Sequence, residues 1–280
     1  MNNIINKKIA LIGAGNVASH LAPALLKSGA NLCQIYSRTP EAARELGKKT
    51  GITYTSNLTE IYPDCDIYIF CVKDDVLSTL FKKIRISSDA LMLHTSGSLP
   101  MTIFSSHYKH YGVLYPLQSF TKKRELNFAE IPLCIEAVDT ESMAEIKALA
   151  GILSDQVYEI DSEKRKVLHL AAVFANNFVN YMYRVAGDLL EKEQLDFKLL
   201  RPIIYETANK ILMMKPDDAQ TGPARRGDQG IISMHRTLLK DDPDLLKLYN
   251  MISDSIYGIF NPKIQEQKVT EEHTEMLSLW

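Results

Sequence analysis

Lys7-Lys8-Ile9-Ala10-Leu11-Ile12 runs directly into Gly13-Ala14-Gly15-Asn16-Val17-Ala18, and the mostly apolar residues 21–26 follow at once. A short apolar run ending at a glycine reads as a buried strand, and the spaced apolar residues after the turn read as a helix. Between them lies a G-x-G-x-x-A turn in which each small residue has a physical task. Gly13 permits the tight turn, Gly15 has no side chain to hold a pyrophosphate off the backbone, and Ala18 lets the helix pack close to the strand. The helix N-terminus adds free N–H groups and the positive end of its dipole. Gly13, Gly15, Asn16 and Val17 are therefore expected to cradle the phosphates of a dinucleotide.

Outward from this turn, the first half of the chain alternates strands with helices. Strands are expected over 9–12, 32–36, 67–72, 91–94, 113–115 and 133–136, and helices over 17–28, 40–50, 75–83 and 142–153. That alternation means βαβ units and a parallel, doubly wound sheet. Around 154–161 the pattern changes, and helical stretches follow over 162–193, 196–214, 229–239 and 243–267. The expected organisation is an α/β domain over residues 1–160 and an all-helical domain over 161–280.

Composition excludes several function classes. Hydrophobic residues make up 46% and charged residues 24% of 280 positions, as in an ordinary globular protein, and a net charge of −2 gives no reason to expect nucleic acid or an anionic membrane as partner. No run approaches a membrane span, and Met1-Asn2-Asn3-Ile4-Ile5-Asn6 lacks the charged-then-apolar pattern of a signal peptide. Cys33, Cys65, Cys71 and Cys134 form no C-x-x-C pair and read as reduced thiols. A cytoplasmic protein with no metal site is expected.

The end of the second strand discriminates between cofactors. NAD-binding domains of this type usually carry a carboxylate there for the ribose hydroxyls. Here Ser37-Arg38-Thr39 follows Tyr36, and an arginine flanked by two hydroxyls suits a 2′-phosphate, so NADP is expected ahead of NAD. The competing reading is a solvated arginine and a helix cap at Thr39 before Pro40. Two further loops belong at strand ends: Val72-Lys73-Asp74 and His94-Thr95-Ser96-Gly97. Val72, Lys73, Asp74, Thr95, Ser96 and Gly97 are expected to approach the cofactor's ribose and nicotinamide, with helix capping and turning as their other role.

These motifs, with Tyr115-Pro116-Leu117, the helix from His169 to Asn177 and Thr221-Gly222-Pro223-Ala224-Arg225-Arg226-Gly227-Asp228, carry a resemblance over nearly the whole chain. The sequence resembles the Rossmann-like NADP oxidoreductases whose second half is a helical domain of the DUF2520 type. More distantly it is similar to pyrroline-5-carboxylate reductase, ketopantoate reductase and the β-hydroxyacid dehydrogenases. The resemblance implies a Rossmann-type parallel sheet followed by a helical domain like the C-terminal domain of 6-phosphogluconate dehydrogenase. It also implies an active site at the interdomain cleft.

In the helical half, His169, Asn176 and Asn180 recur at intervals that fall on one narrow helix face if every residue turns about 100°. Polar groups on an otherwise apolar stripe need partners, from the protein or from a ligand. The β-hydroxyacid dehydrogenases carry a catalytic Lys on the corresponding helix, whereas here Lys164 and Lys166 precede the stripe. His169 is the substitute proton donor, with Asn176 and Asn177 orienting the substrate; the bland alternative is mutual satisfaction or a dimer interface. In the 221–228 segment, Arg225 and Arg226 suit a carboxylate or phosphate, and Asp228 suits a helix cap. The expected function is hydride transfer between NADP(H) and a small anionic carbonyl or imine, with Arg226 on the anionic group and a homodimer through the helical domain. An NADP(H)-binding sensor without turnover is the rival reading. A deazaflavin hydride partner is a third, with no motif of its own.

Overall fold

The computed structural model describes residues 4–262, and the contacts within them divide the chain into two compact units after Val185. The first unit is built on an eight-stranded sheet: β1 (Ile9–Ile12), β2 (Leu32–Tyr36), β3 (Thr53–Thr55), β4 (Ile67–Phe70), β5 (Leu91–His94), β6 (His110–Pro116), β7 (Leu133–Ala137) and β8 (Val157–Glu159). Their spatial order is β3-β2-β1-β4-β5-β6-β7-β8. The sheet folds this way because its central strands are apolar on both faces. Ile9 and Leu11 point into a core shared with Ile67, Ile69 and helix α1 (Asn16–Lys27). Ala10 and Ile12 point into a second core with Tyr68, Phe70 and helix α3 (Asp74–Leu80). This period-two partition is what a strand buried on both sides requires.

Two further helices complete this layer, α2 (Pro40–Thr50) and α4 (Thr140–Leu153). The sheet is parallel except where β6 meets β7. The expected doubly wound parallel sheet is present, with that seam as its one antiparallel pair. Residues 117–132 carry a 3-10 turn at Phe128–Glu130 but no crossover helix, and an antiparallel neighbour needs none. Strands β3 and β8 were not expected from the sequence. Each is three residues long and partly exposed, too short to display a periodicity.

The long helical stretch expected over 162–193 consists of α5 (Ser162–Ala172), a π-helical turn (Val173–Phe178) and α6 (Val179–Lys192). The division after Val185 falls inside α6, so α5 lies in the same unit as the sheet. The cause is a tether: the Arg165 guanidinium on α5 is fully buried and paired with Glu136 on β7.

The second unit contains a 3-10 turn (Phe197–Leu200), α7 (Arg201–Met213), α8 (Pro216–Ala219), α9 (Pro223–Arg226), α10 (Gln229–Leu238) and α11 (Pro243–Phe260). Asp228 caps α10 as expected, accepting from the Ile231 N–H at 3.3 Å, and Asp242 caps α11, accepting from the Leu245 N–H at 3.1 Å. Among its described residues only Ala224, Ile232, Leu239 and Ser253 are buried. No described helix in either unit is long and apolar enough to cross a membrane. The end of the last expected helix and the 271–280 tail lie outside the described residues.

Candidate functional site

Strand order alone locates the first part of the site. β2 and β3 lie on one side of β1, and β4 and β5 on the other, so the C-terminal end of β1 is a topological switch point. The Gly13 turn leaves from that end. Gly13 has φ +125°, and a Cβ there would run into the Cys71 carbonyl, so no other residue fits. Its N–H donates to Tyr36 O at 2.7 Å, and the Cys71 N–H donates to Ile12 O at 2.8 Å, which fixes the turn between β2 and β4. A Cβ on Gly15 would meet nothing within 4 Å, leaving open space at the helix entrance. The N–H groups of Asn16 and Val17 open α1, whose first turn carries no acidic residue.

A cavity of about 490 Å³ occupies this position. Gly13, Gly15, Ser37, Arg38 and Thr39 line one side, and Val72, Lys73 and Asp75 the other. Ser37 is held by its N–H to Thr55 O at 3.1 Å, and its hydroxyl accepts from the Thr39 N–H at 3.3 Å. Arg38 is exposed and makes no hydrogen bond or ion pair among the described residues, leaving its guanidinium available at the rim. Lys83 also lines the cavity, a cation that sequence reasoning missed because it lies on the turn after α3. Asp75 lines the cavity, and the expected Asp74 opens α3. A turn at Gly13 that admits no Cβ, an acid-free helix entrance and three cations (Arg38, Lys73 and Lys83) suit a phosphorylated dinucleotide.

The loop after β5 has internal work. The Thr95 hydroxyl donates to Phe70 O at 3.2 Å, and the Ser96 hydroxyl accepts from the N–H groups of Ser98 and Leu99, both at 3.0 Å. His94 is wholly buried, its Nδ1 accepting from the Ser96 N–H at 3.2 Å and its Nε2 without a partner. Burial, reinforced by the nearby Arg165 charge, pushes its pKa down to about 3, so the ring is neutral at physiological pH. Gly97 serves by lacking a side chain: a Cβ there would come within 2.7 Å of the His169 ring.

His169 is thus brought from α5 against the β5 loop. Its Nδ1 lies 3.0 Å from the Tyr115 hydroxyl, and the two rings meet edge to face. Tyr115 sits near the end of β6, and burial raises its pKa to about 12, keeping the hydroxyl protonated. The strand expected over 113–115 ends at Tyr115, but nothing in the sequence names its partner. The helix carrying His169 is positioned by a network the sequence did not reveal. Arg165 donates to Glu136 and to Leu99 O, while Glu136 also accepts from the Ser162 hydroxyl at 2.7 Å and N–H at 2.9 Å.

Asn176 and Asn177 both fall within the π-helical turn, and both are exposed. A π turn adds a residue to the helix, so positions beyond it are rotated by about 100° from a regular α-helical projection. The π turn therefore interrupts the regular α-helical spacing on which the single face expected for His169, Asn176 and Asn180 rests. Such π segments recur at functional sites, because they re-aim side chains at the cost of backbone hydrogen bonding.

In the second unit, the 221–228 segment forms the one-turn helix α9, bracketed by Gly222 and Gly227, both with positive φ. Arg225 is not a free anion-binding group. Its guanidinium donates to the carbonyls of Asp217 and Gln220 and stacks 4.6 Å from the Phe260 ring, stapling α9 to α11. Arg226 remains available, 64% exposed and 4.0 Å from Asp228. His235 is likewise engaged internally, with Nδ1 2.9 Å from the Tyr249 hydroxyl. Among the described residues no group of three or more His, Cys, Asp or Glu could hold a metal.

Two family models match the chain, and the second begins within the sheet unit, ahead of β7. Residues 8–96 match the family model described as NADP oxidoreductase, coenzyme F420-dependent, and residues 131–256 match DUF2520, a domain of unknown function. No protein of curated function matches the sequence. Among solved structures, 1-pyrroline-5-carboxylate reductase from Streptococcus pyogenes is 13% identical with a TM-score of 0.61, covering 89% of this chain and 98% of its own. Pyrroline carboxylate reductase from Plasmodium falciparum, solved with NADP bound, is 15% identical with a TM-score of 0.58, covering 91% and 100%. At such identities these two share the fold. A Bacteroides fragilis protein assigned to the NADP oxidoreductases is far nearer: 48% identical, with a TM-score of 0.87, over 91% of this chain and 99% of its own. Sharing about half its residues over nearly its whole length with that protein, the chain belongs to the Rossmann-type NADP oxidoreductase family that carries a DUF2520 region.

Proposed function

We propose that this protein is an NADPH-dependent reductase, or the reverse dehydrogenase, of a small anionic carbonyl or imine compound. The observation that carries the reading is the cavity at the switch point, where Arg38, Lys73 and Lys83 gather and β2 ends in Ser37-Arg38 without a carboxylate. Gly13, Gly15 and the first N–H groups of α1 hold the pyrophosphate; Ser37, Arg38 and Thr39 hold the 2′-phosphate. When bound, the cofactor supplies or accepts the hydride.

The chain's own residues supply the proton and the orientation. Tyr115 can partner His169 in either protonation state, accepting from Nδ1–H of the imidazolium and donating to Nδ1 of the neutral ring. That leaves Nε2 as the nitrogen that gives or takes the substrate's proton. Gly97 fixes the ring from one side, and Asn176 and Asn177 on the π turn orient the substrate. Arg226 is the candidate for its anionic group. We further propose a homodimer through the helical region, where Leu212 is 81% and Met213 84% exposed.

Fluorescence titration with NADPH and NADH tests the cofactor. NADPH is expected to bind at least tenfold more tightly, and Arg38→Ala to cost roughly 10- to 100-fold in NADPH affinity with little effect on NADH. Equal affinities, or an Arg38→Ala that changes neither, would overturn the 2′-phosphate assignment. Absorbance loss of bound NADPH against a panel of keto acids, aldehydes and imines, with oxidised deazaflavin included, tests turnover. Tight binding with no turnover across the panel is the result expected of a sensor.

A further inference from the structure

Away from the cofactor cavity, the fold brings two of its free thiols into contact. Cys33 lies on β2 and Cys65 just ahead of β4, on opposite sides of β1, yet their sulfurs are 3.1 Å apart. An irregularity in the ladder makes this possible. Leu32 pairs with Ile9 and Gln34 with Ala10, so Cys33 is the extra residue of a bulge. Its thiol leans over β1 and donates to Ile9 O at 3.2 Å. From the other side the Tyr68 hydroxyl accepts from the Cys65 N–H at 3.2 Å and donates to Tyr62 O, holding the turn that carries Cys65.

The two sulfurs are chemically unequal. The hydrogen bond from Cys65 holds the Cys33 thiol below the usual thiol range; burial opposes this, and the Lys8 ammonium assists it. The same hydrogen bond, followed by burial, pushes the Cys65 thiol up. Lys8 is itself paired with Asp64 at 2.6 Å, so a cation and a carboxylate flank the thiols. Cys33 is half-buried and Cys65 buried, which gives a small oxidant access to the more acidic sulfur first. Cys71 and Cys134 are buried, and burial pushes both thiols up, Cys71 to about 12.

We propose that Cys33 and Cys65 form an oxidisable dithiol that a hydroperoxide converts to an intrachain disulfide. The Cys33 thiolate attacks one peroxide oxygen; the O–O bond breaks, Cys33 becomes a sulfenic acid, and water or an alcohol leaves with a proton. Cys65 then loses its proton and attacks the Cys33 sulfur; the S–O bond breaks, water leaves and the S–S bond forms. The dithiol is oxidised by two electrons and the peroxide is reduced by two. The disulfide ties β2 to the segment entering β4 across β1.

The test is oxidation of the full-length wild-type protein with hydrogen peroxide under native conditions, followed by alkylation, digestion and peptide mapping. The expected product is a linked peptide pair containing Cys33 and Cys65, with loss of two titratable thiols and full recovery by dithiothreitol. A C71S/C134S variant should give the same product, and a C33S variant should leave Cys65 as a free thiol. Oxidation that stops at sulfinic or sulfonic Cys33 with Cys65 still free would overturn the proposal. So would a bridge to Cys71 or Cys134, or one between two chains. Because the linked pair is read in the wild-type chain, poor folding of a variant does not decide the outcome.

Discussion

The two units differ in how much apolar residue they bury. In the first, Ile9, Leu11, Ile12, Ile67, Ile69 and Leu93 are fully shielded, and both sheet faces have their own cover of helices. In the second, Leu199, Ile203, Leu212, Met213, Leu238 and Ile259 are each more than 60% exposed. Large exposed apolar side chains in such number mark a candidate association surface. The sheet is finished by its own chain, whereas the helices of the second unit leave large apolar side chains exposed, as do Val167 and Phe174 on the first unit's α5 and π turn.

The most damaging way to break that contrast is to charge the exposed face. If a second copy covers it, as we propose, a symmetric pair buries each substitution twice. Leu212→Glu combined with Met213→Glu is expected to weaken self-association on the order of 1,000-fold or more, seen by sedimentation at micromolar protein. An unchanged dimer would place the pairing surface elsewhere; a monomeric wild type would refute the pairing outright.

A second test asks whether the chemistry belongs to the finished unit. His169, Tyr115 and Gly97 all lie there, so His169→Gln is expected to lower kcat by roughly 100- to 10,000-fold at constant NADPH affinity. Tyr115→Phe, which removes only the partner at Nδ1, should cost less and should shift the pH profile of kcat. Unchanged kcat in His169→Gln, with turnover established, would remove the proton role.

The third concerns the tether that assigns α5 to the sheet. Arg165→Ala leaves the Glu136 carboxylate, itself only 13% exposed, without its cation, and is expected to destabilise the protein by about 3–5 kcal/mol in urea unfolding. A loss near 1 kcal/mol would mean that water compensates the pair and that the helix is held mainly by packing.

This tether also shows where sequence reading stops. The Gly13 turn was legible because its demands are local: a positive φ, an open side and a close helix are each met by a residue's own size. The NADP reading at Ser37-Arg38 likewise rests on one position after one strand, and the Arg38→Ala titration tests it. Arg165 and Glu136 are distant in sequence, and nothing around either residue names the other. The π turn left no trace because a one-residue insertion changes backbone bonding and not the residue pattern. Arg225 and Arg226 looked equivalent as neighbours, and only the fold spends Arg225 on Phe260 and two carbonyls. The antiparallel seam was hidden likewise, since strand direction is decided by a partner.

The smallest expected effect probes how completely the first unit excludes charge. His94 has its pKa pushed down to about 3 by burial, against about 6.5 when unfolded. Above pH 6.5 both states hold a neutral ring and the difference contributes nothing adverse. As pH falls below 6.5 the unfolded chain takes up a proton that the native core refuses, so stability declines, and the decline ends only near the folded value of about 3. At pH 5 the loss is about 2 kcal/mol relative to pH 7, before exposed carboxylates such as Asp139 begin to titrate. Urea midpoints of the wild type and His94→Gln at the two pH values isolate it. The variant, although less stable at pH 7, should lose less between them. Equal losses would mean that the ring becomes protonated in the native state, and that the core beneath the β5 loop admits water.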